Sequence, residues 1–333
     1  NFLFFEKKKI KVVKLIFIVS SISFLLIAYS NINRPDAGFY HIPYISILHE
    51  NKIIIGLSNI NQRYGHISII QYLSAIYNNN FFKLEFFTIP IASIISFYFL
   101  YLFNLFNKGH LGLEKKNDFI FLIFIFSIYS LNRYSGIGND GIAHIFFYLS
   151  IIHAYLLLKN FQDKLNLNKI FLFSIFTILN KTMMIIIIIL PFYFIIKLRN
   201  KIKLFSKVNI FCFLFILLWF FKNLLISGCF LYPISKTCIS TLKYVEIENV
   251  QNVAIEGEAW AKNVTSNSTN LNYEKFIKNF NWLKDWKNNH FKLIIEKMIP
   301  LLIILLFILI SKYRIRDKTC SEVININNNF LII

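Results

Sequence analysis

Six apolar runs, over residues 12–29, 85–106, 119–132, 141–158, 208–227 and 291–311, dominate the sequence. Most of them approach the ~20 residues that a helix needs to cross a bilayer core. A backbone in lipid must satisfy its own hydrogen bonds, so a chain with this many such runs folds as spanning helices. Composition agrees: of 333 residues, 56% are hydrophobic and 16% charged, with 38 Phe and 17 Tyr. That is too apolar for a disordered polypeptide and leaves too few charges to coat a soluble globule. The fold class read from the sequence is all-α, a polytopic transmembrane helical protein.

A further run, 170–196, is interrupted by Asn180-Lys181. We read it as two short helices, 170–180 and 182–196, meeting at a turn. The second is about 23 Å long at 1.5 Å per residue, short of a bilayer core. Broken helices are tolerated in membranes where they face protein or a polar cavity. This parse has about eight spanning helices, with interfacial helices on the outer face. Lys and Arg set the orientation. The net charge is +19, and 20 of the 36 basic residues fall in Lys7–Lys14, Lys108–Lys116, Lys159–Lys169, Lys197–Lys207 and Lys312–Lys318. The parse puts all five segments on one side, so both termini are cytoplasmic. Outer loops are then 30–84 and 228–290. A basic chain also suggests nucleic acid, but charges clustered between apolar runs are topology signals, and no nucleic-acid partner is expected. Residues 1–318 read as a single integral membrane domain. Residues 319–333 read as a polar tail, with a truncated end as the alternative.

The outer loops hold the residues with chemistry to offer. The first opens Arg34-Pro35-Asp36-Ala37-Gly38-Phe39-Tyr40-His41-Ile42-Pro43. Apolar residues from Phe39 to Leu48 recur at helical spacing, as in a helix lying on the interface. Asp36, Tyr40 and His41 are thereby held at head-group level. The plain alternative makes Asp36 a helix N-cap. Arg63, in Gln62-Arg63-Tyr64-Gly65-His66, suits a phosphate. Asp140 follows the glycines of Gly136-Ile137-Gly138-Asn139 at the mouth of an apolar helix, as a functional acid or again as a cap. Lys181 in the helix break and Lys222 near the end of 208–227 read either as snorkelling cations or as phosphate contacts. The Cys spacing matches no metal motif. Free thiols are the default reading, and Cys229 with Cys238 pairs only in an oxidising compartment. His spacing gives no zinc site, so a divalent cation is a possible cofactor without assigned ligands.

The order of these pieces resembles the GT-C membrane glycosyltransferases, in particular bacterial members related to the protein O-mannosyltransferase-like and aminoarabinose-transferase-like enzymes. Their first outer loop runs D-x-G-x-Y-H-x-P, then G-L-x-N, then a Gly-containing stretch. Here that reads Asp36-Ala37-Gly38-Phe39-Tyr40-His41-Ile42-Pro43, Gly56-Leu57-Ser58-Asn59 and Arg63-Tyr64-Gly65. Trp219, Lys222-Asn223, Ser227-Gly228, Tyr232-Pro233 and Glu258-Ala259-Trp260-Ala261-Lys262 are similar to later pieces. The resemblance implies a helical membrane fold with its catalytic cavity at the outer, periplasmic face of a bacterial inner membrane. It implies a polyprenyl-phosphate-linked sugar donor, an inverting transfer to a lipid, glycan or protein hydroxyl, and membrane lipid as a partner. Asp36 matches the family's catalytic acid of the first loop. Tyr40, His41, Arg63, Asp140, Lys181 and Lys222 are the expected substrate-binding residues. The chain departs from many relatives in having Pro35, rather than a second acid, beside Asp36. Two other readings compete: a polysaccharide polymerase or ligase leaning on Arg63 and His66, and a transporter or non-catalytic scaffold. Inverted repeats, which many transporters carry, are not visible.

Overall fold

The computed structural model describes residues 2–30, 36–51, 53–66, 68–77, 87–110, 118–129, 136–161, 163–198, 206–262, 273–278, 280, 282–307 and 310. The motif residues Arg34 and Pro35, the loop 132–135, the basic segment 312–318 and the tail 319–333 lie outside them. The described residues are helical, without strands; their one bridge pairs Cys229 with Cys238. Three stretches are long and apolar enough to cross a membrane: Ile89–Phe106, Asn139–Lys159 and Lys207–Ser227. Shorter apolar helices cover Val12–Ala28, Phe119–Tyr129 and Thr182–Lys197.

The chain divides into two compact units, 1–113 with 127–254, and 114–126 with 255–333. In the first, α1 (Phe2–Ser30) is followed by a π-helical turn, Ala37–His41, that runs into α2 (Ile42–Glu50). Next come α3 (Ile69–Ile76) and α4 (Ile89–His110); residues 118–126 of α5 (Asp118–Tyr129) belong to the second unit. The hairpin of α6 (Asn139–Lys159) and α7 (Lys164–Asn180) is the centre of the unit. Its helices are stitched by a Ser150–Ser174 hydroxyl contact of 2.8 Å and by Phe146 against Phe173 and Phe176. Leu157, Ile170 and Phe194 close the core at the hairpin's connecting end.

Local sequence explains the ends of these helices. Asp163 caps α7 by accepting from the Leu165 and Asn166 backbones. That cap starts the helix at Lys164, so Lys164 and Lys169 ride on a helix and not in the loop expected from sequence. At the other end Asn180-Lys181 does break the run: Lys181 is extended at φ −146°, followed by a 3-10 stretch (Thr182–Ile188) and α8 (Ile189–Lys197). The Ser206 hydroxyl caps α9 (Lys207–Ser227), which stops at Gly228, left-handed at φ +71°. A glycine takes that conformation without the steric cost of a side chain. Beyond it a short loop is closed by the Cys229–Cys238 disulfide, against the default of free thiols. α10 (Ile247–Ala261) follows, its residues from 255 on belonging to the second unit.

In the second unit, α11 (Tyr273–Lys278) and α12 (Trp282–Trp286) precede a π-helical turn and a helix over 292–307. That last helix exposes Leu293, Met298, Ile299, Leu302, Ile303 and Phe307, an apolar coat suited to lipid.

Candidate active site

All seven residues singled out from the sequence lie in the first unit. Asp36 starts the π-helical turn with helical backbone angles, and its side chain makes no capping hydrogen bond. The N-cap alternative therefore fails. The carboxylate is exposed and accepts from the Tyr40 hydroxyl one turn on. Burial first, and the Asp36 charge second, push the Tyr40 phenol up to about 12. It stays protonated at neutral pH and donates. Arg63, from the 3-10 turn Gln62–His66, holds its guanidinium 5.9 Å from the Tyr40 ring centroid. The floor beneath is aromatic. Tyr44 is buried, meets the Tyr72 hydroxyl at 3.2 Å and packs on Tyr64.

His41 is buried, and its neighbours fix its tautomer. Gln71 accepts from the Ser68 backbone N–H through Oε1 at 2.9 Å. Its Nε2 must then be the atom 2.9 Å from His41 Nδ1, donating to it. The imidazole proton therefore sits on Nε2, the atom that a Cβ on Gly138 would approach to 3.3 Å. Burial lowers the His41 pKa to about 4, against the pull of Asp36 and Asp140. At neutral pH this is an uncharged ring with its N–H beside Gly138.

Asp140 lies in the first turn of α6 without capping it. Lys181 reaches it across the helix break, Nζ to Oδ1 at 2.7 Å. Both side chains are partly open, 39% and 30% exposed. Asn180 sews the break in place: its backbone oxygen accepts from Asn139, and its Oδ1 accepts from the Ile70 N–H. Lys181 is thus neither a snorkelling nor a lone cation. Asp36, Asp140 and Arg63 all act on Tyr40, so two acids and a guanidinium share that neighbour, and Lys181 joins through Asp140.

Lys222 stands apart from this group. It is buried in α9, with its ammonium 3.4 Å from the Trp219 ring centroid, which rules out the snorkelling reading. Toward Arg63 it flanks His66, whose ring meets Tyr232 edge-on at 5.2 Å. One side of His66 is open to solvent. Desolvation of the packed side, and then the Arg63 and Lys222 charges, lower its basicity. Tyr232 presses on Gly65, where a Cβ would lie 2.4 Å from the ring.

The family model described as a domain of unknown function (DUF8201) matches residues 2–331, the whole of this site included. The chain belongs to the DUF8201 family. No curated protein and no solved structure matches it. In this DUF8201 chain the paired charges cancel, since Asp36 and Asp140 offset Arg63 and Lys181. Among the described residues no three His, Cys, Asp or Glu side chains group as metal ligands. The DUF8201 site also uses Gln71, which sequence reasoning passed over, and Asn139, Asn180 and Tyr232, which it met without giving them a role in the site. Gln71 carried a local signal, the Ser68-x-x-Gln71 capping box.

Proposed function

We propose that this chain is an integral membrane glycosyltransferase of GT-C type. It moves a sugar from a polyprenyl-phosphate carrier to an acceptor hydroxyl at the outer face of the membrane. About eight helices span the bilayer in this reading, and both termini are cytoplasmic. The observation that carries it is the exposed Asp36 carboxylate, hydrogen-bonded to Tyr40 and neighboured by Arg63 and the Asp140–Lys181 pair. The Cys229–Cys238 disulfide adds support, because such bonds persist in oxidising compartments.

The chemistry suits these groups. The acceptor oxygen attacks the anomeric carbon from the face opposite the phosphate. Its proton passes to Asp36 as the new C–O bond forms. The bond from the anomeric carbon to the phosphate oxygen breaks, and the carrier leaves with the electron pair. Arg63 stabilises the phosphate charge. Lys181 does so to the extent that substrate draws it from Asp140. Tyr40 orients the Asp36 carboxylate, and the His41 Nε2–H is a neutral donor for a sugar hydroxyl.

The test is transfer of radiolabelled sugar from a polyprenyl-phosphate donor by the full chain in vesicles. Asp36→Asn is expected to abolish transfer while leaving expression and the unfolding temperature unchanged. Full transfer by that variant ends the mechanism. The grouping of Arg63, His66 and Lys222 favours one second reading, the polysaccharide polymerase or ligase. Activity lost in His66→Ala or Arg63→Ala but kept in Asp36→Ala would transfer the assignment to it.

A further inference from the structure

Beside the charged group lies a cavity of about 390 Å³, within the size range of small-molecule sites. Five carboxamides line it: Asn59, Asn61, Gln62, Asn249 and Asn252. Its aromatic wall is Tyr232, the ring that also touches Gly65 and His66. Ile60, Val250 and Val253 supply apolar patches, and no acid or base is among the lining residues.

The walls are built, not incidental. Gly56, left-handed at φ +72°, donates to the Leu225 carbonyl, and the buried Ser58 hydroxyl donates to that of Ile226. Asn59 donates to the Tyr244 carbonyl, and the Tyr244 hydroxyl to that of Leu224. On the far side Val250 packs with Tyr232 and Cys229, so the disulfide loop backs that wall. The Asn61 side-chain oxygen is engaged by the Arg63 N–H at 2.9 Å. The Asn252 carboxamide makes no side-chain hydrogen bond among the described residues and keeps both its donor and its acceptor for a ligand.

We infer that this cavity binds a neutral saccharide. Sugar binding here does not rest on the glycosyl-transfer reading. No charged side chain is among the described lining residues to hold an ionic ligand. A purely apolar ligand would strand the carboxamides. A sugar fits both demands. Carboxamides carry both donors and acceptors, the pairing that neighbouring hydroxyls present in return; Asn59, Asn61 and Asn249 each hold one protein partner already. The C–H face of a pyranose meets Ile60 and Val253, the more open of the apolar lining residues. Tyr232 forms part of both the cavity and the surroundings of Arg63, so a sugar held there lies next to the charged group.

The experiment is saturation-transfer difference NMR on the full chain in lipid nanodiscs. The probes are cellobiose, lactose, maltose and chitobiose, with acetyl-dialanine methylamide as a neutral peptide. At least one disaccharide is expected to bind. Asn252→Leu should weaken it about fivefold to tenfold, the loss of one hydrogen bond, at an unchanged unfolding temperature; Asn61→Leu should weaken it as much and also releases the Arg63 N–H that Asn61 holds. Asp36→Asn should bind the sugar as the wild type does, which separates this inference from the transfer chemistry. Binding of no disaccharide, of the peptide alone, or of sugar unaltered by both substitutions would overturn it.

Discussion

The Lys181 ammonium meets the Asp140 carboxylate at 2.7 Å, joining the break after α7 to the first turn of α6. The pair spans 41 residues of sequence and ties together two helix ends that the charged group depends on. Because both partners are partly open to solvent, the pair itself stabilises by no more than about 1 kcal/mol. Lys181→Met should therefore lower the unfolding temperature only slightly. Transfer should fall much further, by tenfold or more, because Asp140 loses its anchor. The exchanged pair Asp140→Lys with Lys181→Asp should recover the stability and not the transfer. Equal losses of stability and transfer in the single variant would make the pair merely structural.

Tyr40→Phe removes the hydroxyl that holds Asp36 and keeps the ring under Arg63. A neutral-to-charged hydrogen bond of this kind contributes about 1.5–3 kcal/mol. We expect a fall in kcat of roughly tenfold to a hundredfold, with donor KM nearly unchanged. A kcat equal to that of the wild type would remove Tyr40 from the mechanism.

Acid should destabilise the fold through His41. Its pKa is 6.5 when unfolded and about 4 in place. Between those values the unfolded chain binds a proton that the native His41 refuses, so stability drops as pH falls across that window. The full effect is on the order of 3 kcal/mol and is absent above pH 7. Unfolding temperatures measured from pH 7 to pH 4 should show it, and His41→Gln should flatten part of the slope. An unaltered slope in that variant would assign the loss to other groups.

Gly65→Ala should destabilise by about 1–3 kcal/mol, since the new methyl would meet the Tyr232 ring at 2.4 Å. The companion change Tyr232→Ala should relieve that strain, so the double variant should be more stable than the sum of the two losses predicts. Simple additivity would separate the two residues.

Reduction should loosen the cavity wall. Closing so short a loop removes about 2–3 kcal/mol of unfolded-chain entropy in the loop-closure account. Cys229→Ala with Cys238→Ala should lower the unfolding temperature, with dithiothreitol doing the same to the wild type and nothing to the variant. An insensitive wild type would argue against the bond.

The apolar runs alone determined that the chain is helical and suited to a membrane, because twenty residues without polar relief leave the backbone no other solution in lipid. Local chemistry was equally readable at Asn180-Lys181, where a polar pair interrupts an apolar run. What sequence could not decide was which polar side chains meet. A helix cap and a functional acid look alike at Asp36 and Asp140, since both follow a turn. Only folding showed Asp36 turned to Tyr40 and Asp140 claimed by Lys181. Lys222 made the same point in reverse: hydropathy reads it as a cation at a helix end, while packing buries it under Trp219. The partners of Gln71, Asn180 and Tyr232 gave no notice, because a contact many residues away leaves no trace in local spacing. Side-chain pairing across the chain is set by how the helices stack, and that information resides in the tertiary structure.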